Sequence, residues 1–332
     1  MEATLNVELR PKDAFPRRVE PTGPPGDEPP RRSQEGHGVL FGLTAAVIWG
    51  GYLVATRYGI GAGLSAYDMA FLRYATAGLL LLPWLLLHAP WTLSGAGWIR
   101  GLVLALLAGP AFVLVGASGF YYAPLAHSAV IQLGCVTLMG ILLSALVVGE
   151  KPGRKRVAGV VVIIAGLLIT AGPAVLTGGS DAWKGDLLFA GAGTMWALFT
   201  VLQRRWRIEA LTATAVVSVA SGLTFTPLYL AMHGPSNLLL IDPIVVIGLV
   251  IVLGLFSGVV ALFAFGRAIE ALGSSRASIF PALAPSVAII LGIPVSSELP
   301  TALQVLGLIV LSMGLLLALS APCRAPLRDS VP

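Results

Sequence analysis

A cation inside an apolar run offers the most chemistry in this chain. In FLRYATAG, residues 71–78, Arg73 stands about two turns into a membrane-length stretch. A charge there costs ~2.5–3.5 kcal/mol on insertion scales, and such groups face a cavity or a partner. One reading makes Arg73 an anion clamp for a substrate carboxylate or phosphate. In the other it snorkels to the outer interface or bonds a helix-end carbonyl. Trp49 and Trp196 could stack on a substrate ring, and Gly50 and Gly51 beside Trp49 permit a hinge or a close helix approach; packing alone fits them equally. Tyr52, Tyr74, Gln132 and Thr137 place hydroxyl and amide groups at membrane depth, as binding groups or as interhelical glue. Tyr121 and Tyr122 close a span and read as interfacial belt residues.

Pro281 and Pro285 predict a broken ninth span. Neither has an amide hydrogen, so the carbonyls of Ala277 and Pro281 lose helical partners; irregular backbone at that depth lines a cavity or packs in protein, with Ser278 and Ser286 as nearby donors. The alternative is a permanent bend that fits the bundle. Glu150 and Glu298 sit at span ends before prolines and read as boundary residues rather than proton carriers. No Asp or Glu falls at the centre of a predicted span. Glu270 is expected to pair with Arg267 or with water; His127 begins the fourth span and could titrate, but a lone interfacial histidine reads as solvated. Cys135 and Cys323 form neither a disulfide framework nor a metal set.

The elements that must position these residues follow from composition. Charged residues make up 11% of the chain, where a soluble domain carries about 25%. That is the composition of an integral membrane protein, and the net charge of +5 reads as loop bias rather than as a nucleic-acid surface. Ten apolar segments are long enough to cross a bilayer as helices: 39–58, 67–87, 100–122, 127–148, 156–172, 185–203, 212–232, 245–265, 275–295 and 301–319. They are continuous rather than alternating, which excludes a β-barrel reading. Residues 1–38 are rich in proline and charge and predict a disordered cytoplasmic tail without a signal peptide's apolar centre; 320–332 form a second tail. With the amino terminus inside, fourteen Lys or Arg near the spans lie on the cytoplasmic side against two, Arg57 and Lys184, outside. Both termini are therefore expected to be cytoplasmic.

An internal repeat organises the chain. Glu150, Pro152, Gly159 and Gly166 recur as Glu298, Pro300, Gly307 and Gly314 at a constant offset of 148. Trp49 and Arg57 recur as Trp196 and Arg204 at 147. Lys151, Arg154, Lys155 and Arg156 follow the first copy's Glu, while the second copy has no cation there, as two copies on opposite faces require. Five spans in 39–172 and five in 185–319 make the second repeat inverted, a construction common in secondary transporters. Gly159 with Gly166, and Gly307 with Gly314, lie seven apart on single stripes and predict packing seams.

On the runs WGGYLVATRYGI (49–60), FLRYATAG (71–78), GEKP (149–152), PALAP (281–285) and SELP (297–300), the chain resembles the EamA-type family of the drug/metabolite transporter superfamily. The resemblance covers nearly everything after residue 38. It implies a ten-helix bundle exchanging a small metabolite, as an exporter, across the cytoplasmic membrane of a bacterium, and supports a site-lining role for the ninth span. Two departures stand out: Thr137 matches Pro285, and the second repeat lacks the LR pair of the second span.

Trp49, Tyr52, Arg73, Gln132, Thr137, Trp196, Ser278, Pro281 and Pro285 thus form the candidate substrate site. No phosphate loop, zinc-ligand cluster or nucleophile elbow appears, so neither cofactor nor metal is expected, and neither an ATP-driven pump nor an enzyme is favoured. The partners expected are a small-molecule substrate and the bilayer, with a monomer sufficient. The competing class is a scaffold or regulator that keeps the fold without transport. It predicts that Arg73→Ala leaves its activity unchanged.

Overall fold

Hydrocarbon offers the backbone no hydrogen bonds, so the spans must satisfy their own, and a helix does so within one segment. The computed structural model describes residues 31–88, 93, 95–148, 153–177, 181–272, 274–277 and 279–319, and every regular element among them is helical. In chain order the ten longest are α1 (Arg31–Gly61), α2 (Ala66–Leu87), α3 (Trp98–Gly119), α4 (Leu125–Val147), α5 (Arg154–Thr177), α6 (Ala182–Arg205), α7 (Ala210–Met232), α8 (Pro243–Leu272), α9 (Pro281–Ser296) and α10 (Ala302–Leu319), with short helices at Ser236–Leu240 and Ser274–Ala277. Eight are long and apolar enough to cross a membrane: α1 from Glu35, α2, α3, α4, α6, α7, α8 and α10. Leu87, Ile99 and Leu240 are more than 80% exposed, as lipid-facing side chains are. The protein is a multi-pass membrane protein.

Several boundaries depart from the sequence expectation, each for a local reason. α1 begins at Arg31, inside the segment predicted as tail, because adding turns to an existing helix costs little and tertiary contacts favour it. Glu35 pairs with Arg276, and Gly38 lies against Ala271 and Leu272. Residues 1–30 and 320–332 lie outside the described residues. The ninth predicted span is interrupted, as its prolines predict, but near its start: a short helix Ser274–Ala277 precedes turns at 279–283, and regular α-helix runs from Ala284. Pro281 opens a short 3-10 turn and Pro285 sits in the first turn of the α-helix, where a missing amide hydrogen is no loss. The carbonyls expected to be orphaned find partners in 3-10 geometry: Phe280 N–H donates to Ala277 O and Ala284 N–H to Pro281 O.

A second break, in mid-span, falls in α3. Helical turns run over Trp98–Ala108 and again over Pro110–Gly119, with Gly109 between them at φ −91° and ψ −149°. A Cβ on Gly109 would lie 2.0 Å from Ala105 O, so only glycine fits. Phe112 N–H turns to Gly109 O, and the Ala108 carbonyl it would have served accepts instead from the Tyr74 hydroxyl of α2, at 2.5 Å. α2 itself starts under a capping box of Ser65 and Asp68, with Tyr121 Oη accepting the Ala66 amide and Tyr229 Oη donating to Asp68. Tyr121 is half exposed, yet it caps a helix besides sitting at an interface.

The helices pair across the two sequence repeats. α1 packs on α8 and α9, while α6, its counterpart, packs on α3 and α4; α2 packs on α7, and α5 on α10. The last pair uses all four repeated glycines. A Cβ on Gly159 would fall 2.6 Å from Ala318 N, on Gly166 2.7 Å from Leu311 N, on Gly307 2.1 Å from Thr170 Oγ1 and on Gly314 2.7 Å from Ile163 N. Gly159 faces Gly314 and Gly166 faces Gly307, so the two helices cross antiparallel and exchanging the repeats returns the same contacts. Gly78 and Gly222 make the equivalent seam between α2 and α7, against Ser218 O and Tyr74 O. Here the repeat offset is 144: Ala66, Gly78 and Pro83 match Ala210, Gly222 and Pro227.

Gly166→Val should therefore drive a branched side chain into backbone and cost about 1–3 kcal/mol. A clear fall in the thermal midpoint of purified protein is expected, whereas Gly140→Ala, with nothing within 4 Å, should leave it unchanged or raise it slightly.

Candidate functional site

Arg73 is buried, with 8% of its surface exposed, about 10 Å into α2. Nη1 donates to Ser257 Oγ at 3.1 Å, and the guanidinium carbon lies 4.7 Å from the centre of the Tyr52 ring and 5.6 Å from that of Tyr74. Among the described residues no carboxylate pairs with it. Three sequence features build this arrangement. Gly254 and Gly258 let α8 close on Thr76 and Ala77 of α2, which brings Ser257 to the cation. The π-helical stretch Val250–Val260 carries Ser257, and such turns gather at functional sites. Tyr74 is fixed by its bond to Ala108 O. A guanidinium held on one side by a hydroxyl and aromatic faces keeps other donors for an anion.

The structure brings Trp49, Tyr52 and Arg73 to one region, where α1, α2 and α8 meet. Trp49 lies one turn from Tyr52 and makes an edge contact with Phe265 of α8, ring centres 5.2 Å apart. Gly50 explains the fit, since a Cβ there would lie 2.9 Å from Ala288 N of α9; Gly51 has nothing within 4 Å. Gln132 and Trp196 belong to a second group between α3, α4 and α6. Trp196 contacts Phe112 at 5.2 Å, Gln132 accepts from Ser128 at 3.4 Å, and Gly193 brings α6 against the Gln132 carbonyl. Thr137 donates to Leu133 O of its own helix at 3.5 Å. Pro281 and Pro285 stand at the start of α9, where Phe280 packs on Gly42 of α1, about 10 Å along the axis from Trp49. Ser278 lies outside the described residues, as does Glu150.

Glu298 is more than a boundary residue. It forms an ion pair with Arg57 Nε, whose Nη1 donates to Phe120 O at 3.1 Å, and its Oε2 accepts the Leu125 amide at 2.8 Å. One carboxylate thus joins the ends of α1, α3 and α4 to the α9–α10 connection, and satisfies a helix amino terminus that Pro124 leaves open. Ser297 turns the chain into place in the left-handed region, at φ 53°. The first repeat writes Gly149 at that offset, the residue such a conformation favours. Beside the clasp lies a recess of about 230 Å³ lined by Leu125, Ile289, Glu298, Thr301 and Gln304 among others.

Sequence reasoning missed Ser257, since one serine in an apolar span carries no signal until its neighbour is known. It also missed Asp186, an acid just inside a span and so in need of a partner; that partner is His127, which is buried rather than solvated. Arg267 and Glu270 do pair, at 2.8 Å on the surface. Among the described residues no group of three or more His, Cys, Asp or Glu could hold a metal.

Comparison with known proteins places these features in company. The model of the EamA-like transporter family matches residues 36–172 and again 183–320. An uncharacterized transporter, YyaM, of Bacillus subtilis (strain 168) is 26% identical over 195 residues, 56% of this chain; the match spans 62% of that protein, less than two thirds of its length. An uncharacterized transporter of Archaeoglobus fulgidus is 27% identical over 288 residues, 84% of this chain and 96% of its own. One solved crystal structure superposes with a TM-score of 0.56 over 85% of this chain and 96% of its own at 19% identity, a likeness of fold alone.

The clasp is testable by access. Glu298→Gln keeps an acceptor for Leu125 but removes the charge facing Arg57, a part-exposed pair worth about 1 kcal/mol. In a background without Cys135 and Cys323, Ile289→Cys should react about fivefold faster with a membrane-impermeant maleimide once Glu298→Gln is added.

Proposed function

Because the chain belongs to the EamA-like transporter family, we propose that it is a secondary transporter exporting a small anionic or zwitterionic metabolite by alternating access between two inverted repeats. The observation that carries the reading is Arg73: a buried cation, held by Ser257 and two tyrosine faces, with no carboxylate partner among the described residues. Burying a charge without a counter-ion is unfavourable unless a ligand or water compensates it. A substrate carboxylate or phosphate supplies that compensation, and Trp49 and Tyr52 offer faces for its apolar part.

The exchange-symmetric pairing of helices supports inversion. α1 on α8 and α9 mirrors α6 on α3 and α4, and the α5–α10 crossing maps onto itself. All ten helices then cross the cytoplasmic membrane, with α5 and α9 as the fifth and ninth spans and both termini inside. In that orientation the Arg57–Glu298 clasp lies at the outer end, and a conformation holding it is closed to the outside. Opening it while the inner end closes is the alternation. Gln132, Trp196 and the start of α9 contribute the opposite wall.

Counterflow in proteoliposomes loaded with amino acids, nucleotides, purine bases and sugars tests this, read by mass spectrometry. Wild type should exchange members bearing a carboxylate or phosphate. Arg73→Ala should lose that exchange by tenfold or more, about 1.4 kcal/mol, with its thermal midpoint intact; Arg73→Lys should keep part of it, since charge survives and the planar fork does not. Folded wild type that exchanges no pool member, or an Arg73→Ala protein that exchanges as well as wild type, overturns the reading.

A further inference from the structure

From the buried pair His127–Asp186, we infer that this protein binds a proton at the junction of α4 and α6 and that this proton drives transport, an inference that rests on the transporter reading. His127 Nδ1 lies 2.7 Å from Asp186 Oδ1. His127 is 5% exposed and Asp186 8%, and Asp186 Oδ2 is buried without a hydrogen-bond partner among the described residues. A structural pair has no use for that second oxygen. With its proton the pair is imidazolium and carboxylate, neutral in sum. Without it, imidazole and carboxylate leave one net negative charge on a buried wall beside the α3–α4 connection.

An uncompensated charge in that wall is tolerated only when water enters, so the two conformations of a carrier must bind this proton with different affinity. That difference is what coupling requires. The proton arrives from water as hydronium, adds to a nitrogen or oxygen lone pair, and leaves the same way. No other bond changes.

The surrounding elements make the pair a lever. Gly185, one residue before Asp186, lies against Gly119 O and Ala123, so the first turns of α6 ride on the α3–α4 connection. His127 ends the first turn of α4, directly before the π-helical turn Ser128–Gln132. Two residues earlier, the Leu125 amide is held by Glu298 of the clasp. Loading or emptying the pair therefore acts on the turn that carries the outer closure, while Gln132 sits on the next. The titratable groups on the elements packed around it are otherwise engaged: Arg57 with Glu298, Lys184 with Asp181 and near the ring of Tyr122. α9 contributes none, and the cations of α5 are at its start, residues 154–156.

Histidine-selective 15N resonances of the protein in lipid nanodiscs read the proton without any cargo. One resonance, absent from His127→Gln, should change from imidazolium to imidazole as the pH is raised. Asp186→Asn should move its midpoint by at least one pH unit, a tenfold change in proton affinity. A resonance that keeps one protonation state throughout, or a midpoint that Asp186→Asn leaves in place, overturns the proposal. Should His127→Gln not fold, replacing His37, His88 and His233 by Gln assigns the signal instead. In pyranine-loaded vesicles, efflux of the same metabolite pool should shift lumenal pH with wild type. Asp186→Asn should abolish the shift but keep pool-for-pool exchange. Wild-type efflux without a pH change, or an equal change with Asp186→Asn, also overturns it. Wild type that exchanges nothing sinks the transporter reading instead, and the resonance still decides the proton site.

Discussion

Every irregularity in this bundle is governed by one constraint: a backbone amide or carbonyl that leaves its helix ladder inside hydrocarbon must be met by another group of the protein. Four places where a helix breaks or begins show the substitute. The Ala108 carbonyl, left when Phe112 N–H turns to Gly109, takes the Tyr74 hydroxyl. The start of α2 takes Ser65, Asp68 and Tyr121. The start of α4 takes Glu298, and α9 tightens into 3-10 turns around its prolines. Where the substitute comes from outside the helix it serves, as with Tyr74, Tyr121 and Glu298, the repair also fixes tertiary structure. Tyr74 ties α2 to α3 and stands beside Arg73; Glu298 ties α4 to Arg57 of α1. Groups that satisfy the backbone are therefore the groups that place the site and its closure.

The repeats agree in packing and disagree in chemistry. Glycine seams recur in both halves, yet Val217 of α7 stands where α2 has Arg73, by the offset of 144 that aligns the two helices. Val217 is buried like Arg73. Shape symmetry thus coexists with one charge, which sets Arg73 to one side of the molecular twofold. The buried His127–Asp186 pair is likewise off axis, on the side of α4 and α6.

What the sequence made legible was what depends on local pattern. Apolar run length located helices at every predicted position, and the seven-residue glycine spacing anticipated the α5–α10 seam. The match of α2 to α7 was also written there, in Ala66, Gly78 and Pro83 against Ala210, Gly222 and Pro227, but loops of different length had shifted its offset from 147 to 144. Proline was read too simply. Pro281 and Pro285 interrupt their span near its start rather than at its centre, and the Gly109–Pro110 pair, which breaks α3 in mid-span, went unremarked. The clasp joins residues 241 apart and the buried ion pair residues 59 apart. Periodicity along one helix says nothing about which distant side chain completes a charge, so Ser257, Glu298 and Asp186 acquire meaning only in three dimensions.

The self-matching crossing of α5 and α10 carries a historical consequence. Contacts that return to themselves when two halves are exchanged are isologous, the kind two identical chains make across a twofold axis. In such a dimer a single substitution would alter both symmetry-related contacts at once, so an arginine suited to one wall would have appeared in both. Once the halves share one chain, each can change alone. Arg73 opposite Val217 is a difference only a fused gene can hold, while the glycines between the halves still keep the geometry of an encounter between equals.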